Sequence, residues 1–403
     1  MPPWTFHSAG SLVFGRGAIN QLCDIAKRMK ATRIFVITDS ILVKTGILER
    51  VRMPLTAAGL IVETFDGCLP EPPVEIVRNA TEAAKAFRPD LLIGLGGGSN
   101  MDAAKLVSIV LAHGGDPTDY VGDCRVPGPV FPLICVPTTA GTGSEVSAAA
   151  VFTDTAKKMK VSTLSPYLRP AAAVVDPALT DSCPAKVTAD SGIDALTHAI
   201  EAYTAVDHDE FLKRPPGGET VYQGRNTMAD YMAAECIMLC GRFLKRAVQD
   251  GSDTEARDGM ALAATLGGLA FSNAGVALVH AMEYPVGGAV HVSHGAGNGL
   301  LLPYVMKFNL TERADEIGNV GLWLSGPGEI PGTIDEWPET GIANVERLRK
   351  EIGIPLRLRD IGVTEAMLPG FAEKAFGIKR LMRTNPRAPQ SAAEIEAIYR
   401  EAF

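Results

Sequence analysis

Aromatic residues make up only 6% of this 403-residue chain, poor material for the core of an all-β sandwich. Positive charge is short as well. The chain has 38 Lys and Arg against 46 Asp and Glu, a net charge of −8, whereas nucleic acid and anionic membranes are bound by clustered cations. A small-molecule partner is the expectation, with no nucleic acid and no membrane. No apolar run reaches the length of a bilayer, and Met1-Pro2-Pro3-Trp4-Thr5-Phe6-His7 lacks the basic segment and apolar stretch of a secretory signal, so a cytoplasmic protein is expected. The 7 cysteines include no Cys-x-x-Cys pair, and Cys236 and Cys240 fit one helix face better than a zinc knuckle. They read as reduced, mostly buried thiols.

What is abundant is aliphatic: 46% of residues are hydrophobic, and 41 glycines punctuate short Val, Ile and Leu runs. That is the texture of an α/β protein, and at roughly 150 residues per domain the length implies two or three folding units. Arg33–Thr38, Ile61–Phe65, Asp90–Leu95 and Val130–Val136 are strand candidates separated by amphipathic stretches, the grammar of a parallel sheet with crossover helices. After Asp176-Pro177 the period turns helical, in Pro184–Ala205, Arg225–Asp250, Asp253–Asn273 and Ile342–Ile352. The expected plan is a Rossmann-like α/β nucleotide-binding domain over residues 1–180, an all-α metal- and substrate-binding domain over 181–403, and a cleft between them. Val206–Gly224, rich in Asp, Pro and Gly, reads as a long loop between helices.

Parallel sheets bind ligands beyond the carboxyl ends of their strands, which places Asp39, Gly96–Ser99 and Pro137–Gly143 along one edge. Gly94-Leu95-Gly96-Gly97-Gly98-Ser99 follows an apolar strand and opens a helix over Asn100–Ala112, so its backbone N–H groups suit a diphosphate. It departs from the Rossmann fingerprint, with Ser99 in place of the third glycine, and a plain structural turn remains open. The hydroxyl-rich Pro137–Glu145 segment is expected to face Gly97. Asp39 either accepts from ribose hydroxyls, favouring NAD over NADP, or caps a helix.

Gly192–His198 sets Asp194 and His198 at i and i+4 on one helix face, able to grip one ion. His280 and His294 follow in two segments, and the Pro and Gly residues between them are expected to form a turn that brings both to one point. One carboxylate and three neutral imidazoles suit Fe2+ or Zn2+ and leave a net single positive charge, matched to an alkoxide. His7, His113 and His208 read as ordinary core or surface histidines, and His291 is an unused candidate ligand.

Together, Gly96–Lys105, Pro137–Glu145, Gly192–His198 and the His280/His294 pair resemble the iron-containing (group III) alcohol dehydrogenase family, in its order and spacing; Thr384-Asn385-Pro386-Arg387 extends the likeness almost to the C-terminus. The resemblance implies the dehydroquinate synthase-like two-domain fold, a homodimer or larger homo-oligomer, and hydride transfer between an alcohol, aldehyde or hydroxy acid and NAD. It implies Asp194, His198, His280 and His294 as metal ligands for Fe2+, Zn2+ being the alternative. Gly96, Gly97, Gly98, Ser99 and Asp102 would hold the pyrophosphate and nicotinamide side, Thr138, Thr139, Thr142, Val151 and Lys160 the rest of the cofactor, and Asp39 the adenosine ribose.

Two features depart from the family. Tyr284 stands where many members carry a further histidine, and a phenol of ordinary pKa near 10 is a poor base at neutral pH. The Val206–Gly224 insertion, with Tyr222-Gln223-Gly224-Arg225-Asn226, is similar to the hydroxyacid-oxoacid transhydrogenase branch, so Lys213, Arg214 and Arg225 are candidate partners for a substrate carboxylate, with a solvated loop as the plainer reading. The alternatives are therefore a transhydrogenase with tightly held NAD, a related lyase, which the ligand pattern fits less well, and a catalytically idle nucleotide-binding protein.

Overall fold

The computed structural model describes residues 2–156, 159–215, 219–325, 333 and 336–403. Strands β1 (Leu12–Phe14), β2 (Arg33–Ile37), β3 (Ile61–Phe65), β4 (Leu91–Gly96), β6 (Leu133–Pro137) and β9 (Ala172–Val175) form one parallel sheet in the order β1-β9-β6-β4-β2-β3. The four strands foreseen lie within a few residues of their expected limits. Their apolar runs are continuous because both faces are covered: Ile34, Val36, Ile93 and Val136 pack into one buried cluster, Phe35, Ile37, Leu92 and Cys135 into another. Each such side chain contributes about 1.5–3 kcal/mol by leaving water.

From β2 the chain runs outward to β3 and then returns to β4 on the opposite side. The carboxyl ends of β2 and β4 therefore border the crevice where such sheets take ligands.

A smaller sheet was not foreseen. β7 (Ala149–Asp154) pairs antiparallel with β8 (Met159–Leu164), and β5 (Gly122–Asp123) adds in parallel to β8. This hairpin puts Val151 and Lys160 beside the glycine loop.

Among the described residues no strand follows β9, and long helices take over: Ala185–Thr204, Thr227–Gln249, Thr254–Ala274, Leu278–Val290 and His294–Ser325. They share one core that includes Ile193, Leu196, Ile237, Leu244, Met260 and Leu300. No single described helix is long and apolar enough to cross a membrane.

Two expectations need correction. Pro285 does not turn the chain: the helix runs through it to Val290, and the break comes at His291, in the left-handed region with φ 54°. Val279, Ala281, Met282 and Val286 are all buried on that helix, and Tyr399 donates to the Met282 carbonyl just before the proline, so packing outweighs the roughly 3 kcal/mol that an interior proline costs. The Val206–Gly224 stretch is shorter as a loop than expected. It holds a one-turn helix, His208–Phe211, and its ends are tied by the Arg225 N–H donating to the Val206 carbonyl at 2.9 Å; residues 216–218 lie outside the described residues. His208 is a satisfied histidine, its ring nitrogens on the carbonyls of Gln223 (2.7 Å) and Pro3 (3.2 Å).

All seven cysteines are free. Burial pushes the thiols of Cys68 and Cys135 up to about 12 and that of Cys124 up to about 11, so they stay protonated and unreactive at neutral pH. A thiol reagent at pH 8 should therefore modify the native protein slowly and incompletely, then all 7 cysteines in denaturant. Rapid modification of Cys135 in the folded protein would contradict this packing.

Candidate metal and nucleotide site

A single residue separates the end of β4 from the helix Gly98–His113, so the chain must turn at Gly97 against the Pro137–Glu145 segment. The contact is close. A Cβ on Gly98 would lie 2.8 Å from Thr142 Cγ2, and one on Gly97 would lie 3.5 Å from Thr139 Cγ2, so the second loop faces the first as expected. Asp102, in the next turn, is half-buried and accepts from Ser144 Oγ at 2.6 Å and from the Val151 N–H at 2.9 Å. Burial pushes its carboxyl up, against the pull of the nearby Lys105 ammonium. Lys105 is itself fully buried and donates to the carbonyls of Ser147 (3.0 Å) and Ala149 (2.8 Å), which fastens the helix to β7.

Gly98, Ser99, Asp102, Thr142, Val151 and Lys160 line one side of a cleft. Thr138 and Thr139 do not. Thr138 is buried and donates its N–H to the Gly96 carbonyl at 3.0 Å, joining the two loops. Asp39 lies outside this cleft and caps the helix Ser40–Lys44: Oδ1 accepts from the N–H groups of Ile41 (2.8 Å) and Leu42 (3.1 Å), and Oδ2 from Asn100 Nδ2 (2.7 Å). The capping alternative for Asp39 is thus what the structure shows.

The opposite side of the cleft is formed by Asp194, His198, His280, His294, Tyr222 and Tyr284. Ligand atoms of Asp194, His280 and His294, from three helices, all lie within 4.8 Å of one another. His198 stands beside this triangle, with Nε2 3.9 Å from Asp194 Oδ1 and its ring stacked on Phe271 (4.3 Å between centroids) and His280 (4.9 Å).

Two buried carboxylates that the sequence reading did not single out orient the imidazoles. Glu201 Oε2 accepts from His280 Nδ1 and Glu283 Oε2 from His294 Nδ1, each at 2.5 Å. With the protons on Nδ1, both Nε2 atoms turn their lone pairs toward the triangle, where Asn298 Nδ2 lies 3.2 Å from each, the usual outer arrangement of a metal-binding histidine. Helical spacing carried the signal: Glu201 lies seven residues after Asp194, and Glu283 three after His280.

The electrostatics suit the same purpose. Burial opposes ionisation of Asp194, yet the surrounding histidines and the Asn298 amide bring its carboxyl below the usual value. Burial pushes the His198 imidazole down to about 4, so it is neutral, as a ligand must be. His198 Nδ1 and Asn298 Oδ1 are buried polar atoms without a hydrogen-bond partner, consistent with a centre whose polar groups are arranged for a guest. Burial opposes protonation of His294, yet Glu283 and Asp194 raise its imidazole, so a cation there displaces a proton; the donor set of one carboxylate and three imidazoles then fits Fe2+ or Zn2+.

Residues 9–177 match the family described as "Iron-containing alcohol dehydrogenase", and residues 221–403 match "Fe-containing alcohol dehydrogenase family, C-terminal". The chain belongs to the iron-containing alcohol dehydrogenase family. Long-chain-alcohol dehydrogenase 1 of Geobacillus thermodenitrificans is 40% identical over 395 residues, covering 96% of this chain and 94% of the relative. NAD-dependent methanol dehydrogenase of Bacillus methanolicus is 35% identical over 364 residues, 90% of this chain and 91% of the relative. A crystal structure of 1,3-propanediol oxidoreductase superposes with a TM-score of 0.91 at 34% identity and covers 100% of both chains. The expected two-part fold and an oxidoreductase acting on alcohols, with iron and NAD as the family's cofactors, are borne out.

The basic residues proposed for a substrate carboxylate are engaged elsewhere. Arg225 pairs with Asp230 (3.0 Å) and Glu316, Arg214 donates to the Pro386 carbonyl (2.7 Å), and the exposed Lys213, just past the helix His208–Phe211, sits near Asp209 and Glu210 of that helix. None of the three lines the cleft. Tyr284 does line it. Burial pushes its phenol up, against the pull of Arg380, so at neutral pH it carries its proton.

Proposed function

We propose that this chain oxidises small alcohols with NAD and reduces the corresponding carbonyl compounds, working as a nucleotide-binding unit (1–180) and a metal- and substrate-binding unit (181–403). The observation that carries the reading is the convergence of Asp194, His280 and His294, with His198 beside them, on the cleft that the glycine loop opens into. Asp194, His198, His280 and His294 hold Fe2+, or Zn2+ in its place. Gly96–Ser99, the helix start behind them and Asp102 receive the pyrophosphate and nicotinamide side, while Thr142, Val151 and Lys160 line the rest of the cofactor. A carboxylate offers about four lone-pair sites, and Asp39 has three hydrogen bonds, so one remains for the adenosine ribose.

When bound, the cation supplies Lewis acidity that stabilises negative charge on the substrate oxygen, and NAD accepts the hydride. The chain supplies the rest. Phe152, Phe271 and Val276 line the cleft with apolar surface that holds an alkyl chain and excludes water. Lys160, between Glu71 (2.7 Å) and Glu283 (3.3 Å), carries a fixed positive charge at the cleft wall. Tyr284 orients a hydrogen bond and does not act as the base. The free thiols support a reducing compartment such as the cytoplasm.

The test is a panel of primary alcohols, diols, and 2- and 4-hydroxy acids, with NAD and with Fe2+ or Zn2+ restored. NADH should accumulate with no carbonyl acceptor present. Turnover that requires a 2-oxo acid would turn the reading into transhydrogenation, and a metal-loaded protein silent across the panel would make it an idle nucleotide binder.

A further inference from the structure

We propose that Asn298 is a positioning residue that closes the metal site from behind and fixes the Asp194 carboxylate. This rests on the metal-dependent reading above. Asn298 follows His294 by one helical turn and is fully buried. Its Nδ2 lies 2.8 Å from Asp194 Oδ1, 3.2 Å from His280 Nε2 and 3.2 Å from His294 Nε2. Because Glu201 and Glu283 hold the Nδ1 protons, both Nε2 atoms present lone pairs. One amide nitrogen therefore meets three acceptors from three helices.

That environment fixes which way the amide points. Turned round, Oδ1 would face a carboxylate oxygen and two lone pairs; as placed, Oδ1 is the atom left without a donor. Two N–H protons serve at most two of the three acceptors, and the shortest contact goes to the charged oxygen, where a hydrogen bond is strongest.

Asp194, His280 and His294 line the cleft and Asn298 does not. The amide nitrogen sits against one side of the ligand triangle, so an ion held by the same three atoms must take the other side. By occupying Oδ1, Asn298 holds the Asp194 carboxylate in one rotation, so that the ligand atoms stay assembled before the ion arrives. The sequence signal was the i, i+4 spacing of His294 and Asn298 on one helix.

The probe is Co2+, whose visible absorption reports coordination geometry, with affinity measured by competition against a chelator. Asn298→Leu keeps the branched shape and removes the donor; Asn298→Ala removes both. Each folded variant, judged by its circular dichroism, should bind Co2+ about 10- to 100-fold more weakly than the parent and show an altered visible spectrum. A purely structural role would move the melting temperature and leave the spectrum of the bound ion unchanged. Parental affinity and spectrum in either folded variant would overturn the proposal. If neither variant folds, Asn298 acts in stability and the proposal fails. A parent protein that binds no Co2+ would instead remove the metal-dependent reading itself.

Discussion

Asp194→Ala should lose bound metal and at least about a thousandfold of alcohol oxidation together, since several kcal/mol of charge stabilisation disappear with the ion. The effect is large because Asp194 is the one anion among the four predicted ligands. Without it the cation has no anionic ligand, and the nearby carboxylates of Glu201 and Glu283 act on it only through the imidazoles they hold. Asn298 Nδ2 also loses its shortest acceptor. Asp194→Asn is the informative partner, because it keeps the volume in a fully packed site and removes only the charge and one acceptor's strength. Both variants should retain the parent's circular dichroism and NAD affinity, because Asp194 lies on the helical side of the cleft and the glycine loop on the other. Metal analysis and NADH formation are the measurements. If metal-stripped Asp194→Ala and parent oxidise alcohols equally well, the metal has no part in the chemistry.

The residues that could be read from the sequence are those whose partners lie close along the chain. β2, β3, β4 and β6 announce themselves because strands buried on both faces are apolar at every position, and the glycine loop because three glycines in a row suit few structures. Asp194 and His198 were legible from a single helical turn. β1 and β9 were not, being three and four residues long, with β1 paired to β9 alone. The β7–β8 hairpin is buried only at alternate positions along Ala149–Asp154, and its two leading alanines are weak strand formers. Pro285 misled because local propensity argues for a break, while the buried apolar side chains around it favour a continuous helix. Glu201, Glu283 and Asn298 sat at helical spacings from the ligands, yet what they touch depends on how three helices cross, which no single segment encodes.

That crossing is set in part by Gly295, and Gly295→Ala should be the most damaging substitution of a residue that carries no functional group. A Cβ there would lie 1.9 Å from the Asp190 carbonyl oxygen and 3.0 Å from Asp194 Cβ. The first obstacle is backbone and cannot swing aside. The helix bearing His294 must then move away from the helix bearing Asp194 by more than an ångström, which separates two ligands that now sit within 4.8 Å of each other. Overpacking of this kind costs about 1–3 kcal/mol of stability. A displacement near 1 Å at a reacting centre costs about a hundredfold in rate. We expect a lowered melting temperature, metal content well below the parent's, and activity down by about two orders of magnitude that excess metal restores only in part. Gly288→Ala is the control. It lies in the neighbouring helix, is exposed, and a Cβ there meets nothing within 4 Å, so alanine should stabilise the helix by about 0.5–1 kcal/mol and leave metal content unchanged. Gly295→Ala with parental metal content and activity would mean that the two helices tolerate a wider crossing, and that the ligand triangle is not held by their contact.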